Sequence, residues 1–170
     1  MDTKEEKQAR QSYNTMARFY HEYRTTKFEG GWFFNEYLEM PAMLKALGNV
    51  KDKKILDWGC GSGIYAKILS EKGAKIKGFD ISKEMLKIAR ESNPRLDLRI
   101  GSGLNIPFDE KFDIVFSSLA LNYLKDWDRA FKEISRVLKK GGYFLFSIGN
   151  PIIDSSESIV NEGKKVKILG

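Results

Sequence analysis

Apolar residues recur at helical spacing through the first 50 residues of the chain. The first of two predicted helices has its apolar positions at Ala9, Tyr13, Met16, Ala17 and Tyr20. The second covers residues 33–47, where Pro41 should break or restart the helix and Gly48 should end it. Residues 25–31 lie between the two helices and are predicted to form a loop. The N-terminal part is thus predicted to be an amphipathic helical layer that packs on the rest.

From residue 53 onward, short apolar segments alternate with helical patterns. The predicted strands cover residues 53–58, 75–80, 96–100, 112–117 and 143–148. Helices separate them, and Ser82 and Asp126 stand at positions that favour an N-cap. The last helix is predicted to run through Lys139-Lys140 and to close at Gly141-Gly142. Strands separated by helices imply an α/β fold with a doubly wound, mostly parallel sheet.

The net charge changes this picture little. The 29 basic and 23 acidic residues give a formal charge of +6, and the excess is spread along the chain. Such an excess is compatible with an acidic substrate or with RNA, but dispersed charge indicates a solvated surface rather than a nucleic-acid groove. We therefore expect weak, salt-sensitive RNA binding at most.

Cysteine and histidine are too few for several kinds of site. Cys60 is the only cysteine and His21 the only histidine, so an intrachain disulfide, a cysteine zinc site and a histidine-rich metal site are excluded. No metal is expected. The first twenty residues lack the apolar core of a signal peptide, and no apolar run approaches membrane-spanning length. These features predict a cytoplasmic protein with no membrane partner.

A glycine-rich loop is the clearest chemical signal in the sequence. Residues 55–63 read Ile-Leu-Asp-Trp-Gly-Cys-Gly-Ser-Gly, so a strand runs directly into three alternating glycines and then a helix. This arrangement lets a nucleotide-like ligand approach the backbone closely. Ile64 replaces the last glycine of the dinucleotide fingerprint, and the lysine of a P-loop is absent. Asp80 ends the following strand, where it can accept hydrogen bonds from ribose hydroxyls or serve as a helix-start carboxylate near Ser82.

With these segments in view, the chain resembles the class I S-adenosylmethionine-dependent methyltransferases, of the small-molecule, type 11-like kind. The matching segments are residues 55–63, 78–82, 106–108 with 112–115, 138–142, and an N-terminal lid at 13–20. The resemblance covers roughly residues 10–151. It implies a Rossmann-like sheet with strand order 3-2-1-4-5, and the cofactor S-adenosylmethionine with its product S-adenosylhomocysteine.

The resemblance also implies a division of the chain. Residues 1–50 would form an N-terminal helical lid or cap, and residues 51–150 the Rossmann-like core that binds S-adenosylmethionine. Residues 151–170 would form a tail of loop plus a short strand. Relatives usually add two further strands after the fifth, so we expect either that the sequence is a fragment or that a partner or second subunit, as in a homodimer, covers the sheet edge.

The resemblance assigns cofactor roles residue by residue. Asp57 and the backbone of the loop would hold the methionine portion, and Asp80 the ribose. Many relatives carry an acidic residue where Ser102 stands, accepting from the adenine amino group. The full set of expected cofactor residues is Tyr20, Asp57, Gly59, Cys60, Gly61, Ser62, Gly63, Asp80, Ile81, Met85, Ser102, Gly103, Leu104, Ser117, Ser118 and Leu119. Tyr20 would close over the cofactor or, like Tyr13, simply pack the first helix on the core.

Methyl transfer by in-line displacement depends mainly on positioning, and it needs a general base only if the acceptor holds a proton at neutral pH. The resembling enzymes often have a histidine near positions 122 and 150, where this chain has Asn122 and Asn150. Asn122 and Tyr123 are candidates to orient a small-molecule acceptor, and Asp126 is either a base or an N-cap. Two alternatives stay open: a non-catalytic S-adenosylmethionine-binding module and an RNA-modifying methyltransferase.

Overall fold

Five parallel strands form one sheet in the computed structural model, which describes residues 3–26 and 34–149. The strand order is β3-β2-β1-β4-β5, as expected. The strands are β1 (Lys54–Trp58), β2 (Lys75–Asp80), β3 (Asp97–Ile100), β4 (Phe112–Ser118) and β5 (Leu138–Ser147). The predictions for Asn150 and for the tail at 151–170 fall outside the described residues, as does most of the loop at 25–31.

Helices cover the sheet and its carboxyl edge. They are α1 (Lys4–Thr25), a π-helical segment (Phe34–Glu39), α2 (Met40–Leu47), α3 (Ile64–Glu71), α4 (Lys83–Ser92), a 3-10 turn (Leu121–Tyr123) and α5 (Trp127–Val137). Pro41 stands in the first turn of α2, where its missing N–H costs no hydrogen bond, so the helix restarts there as predicted. No helix in the described ranges is long and apolar enough to cross a membrane.

Side chains that alternate along the central strands build a core on each face of the sheet. Ile55 and Phe116 face α2 and α3, where they pack with residues such as Leu69. Leu56 and Val115 point to the other face, towards α5, within a second cluster rich in aromatic rings. Burial on both faces explains why β1 and β4 read as continuous apolar runs in the sequence.

The end of α5 differs from the prediction. The helix ends at Val137, and Lys139-Lys140 with Gly141-Gly142 belong to β5 instead of closing the helix. Leu138 pairs with Phe112, and the Lys139 ammonium lies 2.7 Å from a carboxylate oxygen of Asp113 on β4. Sheet pairing and this ion pair therefore outweigh the helical pattern of the sequence. Gly141, at φ 81°, supplies a left-handed residue in this irregular part of the strand.

Helix α1 lies across the carboxyl edge of the sheet, against α4. The Asn14 side-chain oxygen accepts from the Ser82 hydroxyl at 2.8 Å and from the Glu84 backbone N–H at 3.3 Å. Near the middle of the helix, the hydroxyls of Tyr13 and Tyr123 lie 2.7 Å apart. These contacts place the first helix over the ends of the strands, where parallel sheets bind ligands.

We expect Leu56→Ala to lower the free energy of unfolding by about 2–5 kcal/mol, because it opens a cavity beneath a fully buried position of the central strand. Urea denaturation measures the loss. Ile100→Ala in the edge strand β3 is the control, since that side chain is 56% exposed and its truncation should cost less than about 1 kcal/mol. Equal losses for the two variants would contradict the core described above.

Candidate functional site

The glycine loop joins β1 to α3 at the carboxyl edge of the sheet. Its start is fixed by the backbone N–H groups of Gly59 and Cys60, which donate to the Phe79 carbonyl at 2.9 and 3.0 Å. Gly59 and Gly61 both have positive φ angles, 75° and 51°. A Cβ atom at Gly59 would lie 2.5 Å from the Ala120 Cβ, whereas one at Gly61 would meet no protein atom within 4 Å. Gly59 is therefore required for packing, and Gly61 faces open space.

Asp80 ties this loop to the end of β2. One carboxylate oxygen accepts from the Gly61 backbone N–H at 2.8 Å, and the other accepts from the Ser82 N–H at 2.8 Å. Burial raises the pKa of Asp80, and these backbone hydrogen bonds offset part of the increase. Each carboxylate oxygen has two lone pairs, so Asp80 retains acceptor capacity towards the open side.

Asp57, at the penultimate position of β1, is almost completely buried. Its side chain Oδ2 has no hydrogen-bond partner within the described residues. Burial, together with the nearby charge of Asp80, raises the pKa of Asp57 to about 8. An unpaired buried polar atom is costly, and it is found where a ligand or ion completes the site.

Arg24, near the end of α1, faces the same inner recess as Asp57, Ser62 and Tyr65. Its side chain is only 6% exposed. The Nε atom donates to Glu36 Oε1 at 2.8 Å, and Nη1 donates to the Tyr20 hydroxyl at 3.2 Å. A guanidinium has five N–H donors, more than these contacts use. The recess is thus lined by the buried carboxyl group of Asp57 and the buried guanidinium of Arg24.

The recess adjoins a larger cleft between α1 and the strand ends, and the two share Tyr20, Gly59, Gly61 and Ser118 in their walls. Nine of the expected cofactor residues line this cleft: Tyr20, Gly59, Gly61, Asp80, Ile81, Met85, Gly103, Ser118 and Leu119. Asp57, Cys60 and Ser62 line the recess. The structure therefore brings these twelve residues together.

The remaining four lie elsewhere. Gly63 packs under α4, where an added Cβ would lie 3.0 Å from the Ala89 Cβ. Ser117 is fully buried within β4. Ser102 and Leu104 line a neighbouring groove on the outer side of α1, and the Ser102 hydroxyl donates to the Glu6 carboxylate.

The three candidate residues for acceptor chemistry also differ in position, because one of them lines the cleft and the other two do not. Tyr123 lines the cleft, and its ring meets that of Tyr13 edge to face with centroids 5.4 Å apart. Asn122 is exposed and accepts from the Gly149 N–H at 3.3 Å. Asp126 is exposed and caps α5, accepting from the Arg129 N–H at 3.0 Å, which confirms the N-cap interpretation.

Leu119 has a left-handed backbone conformation, with φ 54°. This conformation is rare for a branched side chain, and it is held by hydrogen bonds from the Leu119 N–H to the Ser147 carbonyl and hydroxyl, both at 3.1 Å. Strained residues of this kind concentrate at functional sites. Leu119 lines the cleft, and the preceding residue, Ser118 at the end of β4, lines both the cleft and the recess.

Several residues that line the cleft or the recess were not predicted from the sequence. Arg24 and Glu6 stand on α1, where the apolar pattern marks only packing positions, so no signal pointed to them. Trp58 and Phe79 could have been found, because each lies at or near the end of a predicted strand. Within the described parts of the chain, no group of three His, Cys, Asp or Glu residues is placed to hold a metal ion.

The doubly wound sheet, with its glycine loop at the carboxyl edge, defines a Rossmann-like α/β fold. A family model described as a methyltransferase domain matches residues 56–146, more than half of the chain. The chain belongs to this family, within the class I S-adenosylmethionine-dependent methyltransferases.

Individual relatives agree with this assignment. The chain is 37% identical over 100 residues to a demethylmenaquinone methyltransferase of Chlorobaculum tepidum, covering 58% of this chain and 41% of the relative. It is 32% identical over 106 residues to a malonyl-[acyl-carrier protein] O-methyltransferase of Hamiltonella defensa, covering 62% and 41%. A crystal structure of an S-adenosylmethionine-dependent methyltransferase from Mesorhizobium loti superposes with a TM-score of 0.66 at 34% identity, covering 72% and 58%. The chain spans about half the length of the relatives it matches.

The raised pKa of Asp57 predicts how stability depends on pH. In the folded protein Asp57 keeps its proton up to about pH 8, whereas in the unfolded chain it loses the proton near pH 4. The free energy of unfolding should therefore fall as pH rises from about 4 to about 8. Asp57→Asn should reduce the fall between about pH 5 and pH 8 by about 3 kcal/mol, as measured by urea denaturation at both values.

Asp113→Asn is the matched control for this measurement. Lys139 lowers the pKa of Asp113, so that carboxylate is ionised across the tested range and its removal should leave the pH dependence unchanged. A parent protein with the same stability at both pH values would show that Asp57 is not held neutral by burial.

Proposed function

We propose that the chain is the catalytic domain of a methyltransferase that moves a methyl group from S-adenosylmethionine to a small-molecule acceptor. The observation that carries the proposal is the recess in which buried Asp57 and buried Arg24 stand together beside Gly61. A buried carboxyl group and a buried guanidinium that line one recess match the ammonium and carboxylate of an amino acid. The methionine end of the cofactor has both groups.

The rest of the cofactor follows the cleft outward from this recess. Gly61 lies where a side chain would enter the ligand space, so its backbone can approach the ligand closely. Asp80 retains lone pairs for the ribose hydroxyls, and Ile81 and Met85 offer apolar surface for the adenine. The unpartnered oxygen of Asp57 fits the ammonium group. Residues from three sequence regions thus match the three chemical parts of S-adenosylmethionine.

When bound, S-adenosylmethionine supplies a methyl group on a positively charged sulfur. The protein's contribution is to hold the acceptor in line with that methyl and to exclude water. Ser118 and Tyr20 line both the cleft and the recess, which supports a position for them beside the methyl group under this proposal. The face of the Tyr20 ring favours a cation. Helix α1 covers the site from the solvent side.

Tyr123 is better placed than Asn122 to orient the acceptor, because Tyr123 lines the cleft. Burial and the hydrogen bond with Tyr123 raise the pKa of Tyr13, so Tyr13 stays a neutral phenol that can share its proton with its partner. The two hydroxyls therefore form a hydrogen-bonding pair at the mouth of the cleft. We assign them to orienting the acceptor, while Asp126 remains a helix cap. The relatives are named for different acceptors, malonyl-[acyl-carrier protein] and demethylmenaquinone, so their names do not fix the acceptor of this chain.

We expect isothermal titration calorimetry to show binding of both S-adenosylmethionine and S-adenosylhomocysteine. Gly61→Val should abolish it, because the new side chain would fill the ligand space. Asp80→Ala should weaken it about ten- to hundredfold through lost charged hydrogen bonds. Gly141→Val is the matched control, since Gly141 also has a positive φ and open surroundings but lies in β5 away from the cleft. Absence of binding by the parent, or equal binding by the Gly61 variant, would refute the proposal.

Arg24→Gln tests the assignment of the carboxylate end. The variant should bind S-adenosylhomocysteine about tenfold or more weakly, because a charged hydrogen bond is lost. The variant and the parent protein should bind an analogue of S-adenosylhomocysteine that lacks the carboxyl group with the same affinity. Arg18→Gln on the exposed side of α1, with a side chain 77% exposed, should leave both affinities unchanged. Equal weakening for both ligands in the Arg24 variant would mean that Arg24 acts on the fold instead.

A further inference from the structure

Glu6 is a buried carboxylate in the wall of the cleft. It stands in the first turn of α1, is 3% exposed, and lines both the cleft and the neighbouring outer groove. Within the described residues, its Oε2 atom accepts from the Thr3 backbone N–H at 2.9 Å, and its Oε1 atom accepts from the Ser102 hydroxyl. Glutamate is rarely buried to this extent, so the position calls for an explanation.

Helix capping explains the position of only one of the two carboxylate oxygens of Glu6. The bond from Thr3 completes a capping box, which needs one carboxylate oxygen and works equally well at an exposed position. The second oxygen instead accepts from Ser102, 96 residues away in sequence, which lines the outer groove together with Glu6. Two carboxylate oxygens offer about four lone pairs, so the observed donors leave acceptor capacity facing the cleft.

The surroundings of Glu6 define the kind of group it can meet. The cleft that Glu6 lines is also formed by Ile81, Met85, Gly101 and Gly103, and Ile81 and Gly101 line the outer groove with Glu6 as well. A Cβ atom at Gly103 would overlap the Trp58 ring at 1.9 Å, so the wall is closely packed there. An apolar slot with a negatively charged acceptor at its end suits a flat heteroaromatic ring that carries an N–H donor.

We infer that Glu6 accepts a hydrogen bond from the exocyclic amino group of the cofactor's adenine, so that the N-terminal helix reads the base. The inference rests on the proposed function, which places the adenine between Ile81 and Met85. It makes Glu6 a specificity-determining residue for the cofactor. Because Asn14 and Tyr13 hold the same helix against the core, recognition of the base is coupled to the closed position of α1.

The test compares S-adenosylhomocysteine with its analogue in which hypoxanthine replaces adenine. The analogue presents a carbonyl oxygen where adenine has its amino group, and a carboxylate repels that oxygen. The parent should prefer the adenine compound about ten- to hundredfold in calorimetry. Glu6→Gln keeps the shape and the capping box, but its amide N–H can serve the carbonyl, so most of this preference should disappear.

Two further variants make the result specific. Glu5→Gln is the matched control, because Glu5 forms an ion pair with Lys125 at 2.6 Å outside the cleft. This variant should prefer the adenine compound over the hypoxanthine analogue as strongly as the parent does. If Glu6→Gln does not fold, Glu6→Asp shortens the carboxylate while keeping its charge, and it too should lose preference. A parent-like preference in the folded Glu6 variant would overturn the inference and leave the proposed function intact. A parent that binds neither compound would overturn both.

Discussion

The site depends on two carboxylates buried next to one another at the carboxyl edge of β1 and β2. Like charges in a buried place are unstable unless donors or a cation compensate them. Asp80 has two backbone donors, from the loop and from the start of α4, so it fixes the path of the glycine loop. Asp57 has an unpartnered oxygen and keeps a proton instead. The open space beside Gly61 follows from the loop path that Asp80 sets.

Helix α1 completes the site through a single face. Glu6, Tyr13 and Tyr20 are seven residues apart, close to two helical turns, and Arg24 follows one turn later. The helix therefore presents a carboxylate, two phenols and a guanidinium along one line over the cleft. Its polar side chains reach the core domain at Ser102, Tyr123 and Ser82. The predicted N-terminal lid is thus also a wall of the binding site.

Much of the architecture could be predicted from the sequence, because strand periodicity, glycine turns and N-caps are local signals. The exception is Lys139-Lys140, where an apolar stripe extends to Leu138 and pairing with β4 decides the outcome. Of the twelve expected cofactor residues that the structure brings together, those of the glycine loop could be predicted because a strand–loop–helix motif fixes its own geometry. Arg24 and Glu6 could not be predicted, because their roles depend on contacts between distant segments. Such contacts leave no periodic trace in a single sequence.

The proton on Asp57 gives the recess its chemical selectivity. Near neutral pH, a buried carboxyl group with a pKa of about 8 becomes a carboxylate more readily when a positive charge lies beside it. Under the proposed function, the cofactor's ammonium supplies that charge while Arg24 receives the carboxylate of the same molecule. A ligand with the carboxylate alone would leave the Asp57 oxygen without a donor, and one with the ammonium alone would leave Arg24 paired, among the described residues, only with Glu36 and Tyr20. Under the proposed function, the recess therefore favours a zwitterionic amino-acid group over a ligand that carries only one of the two charges.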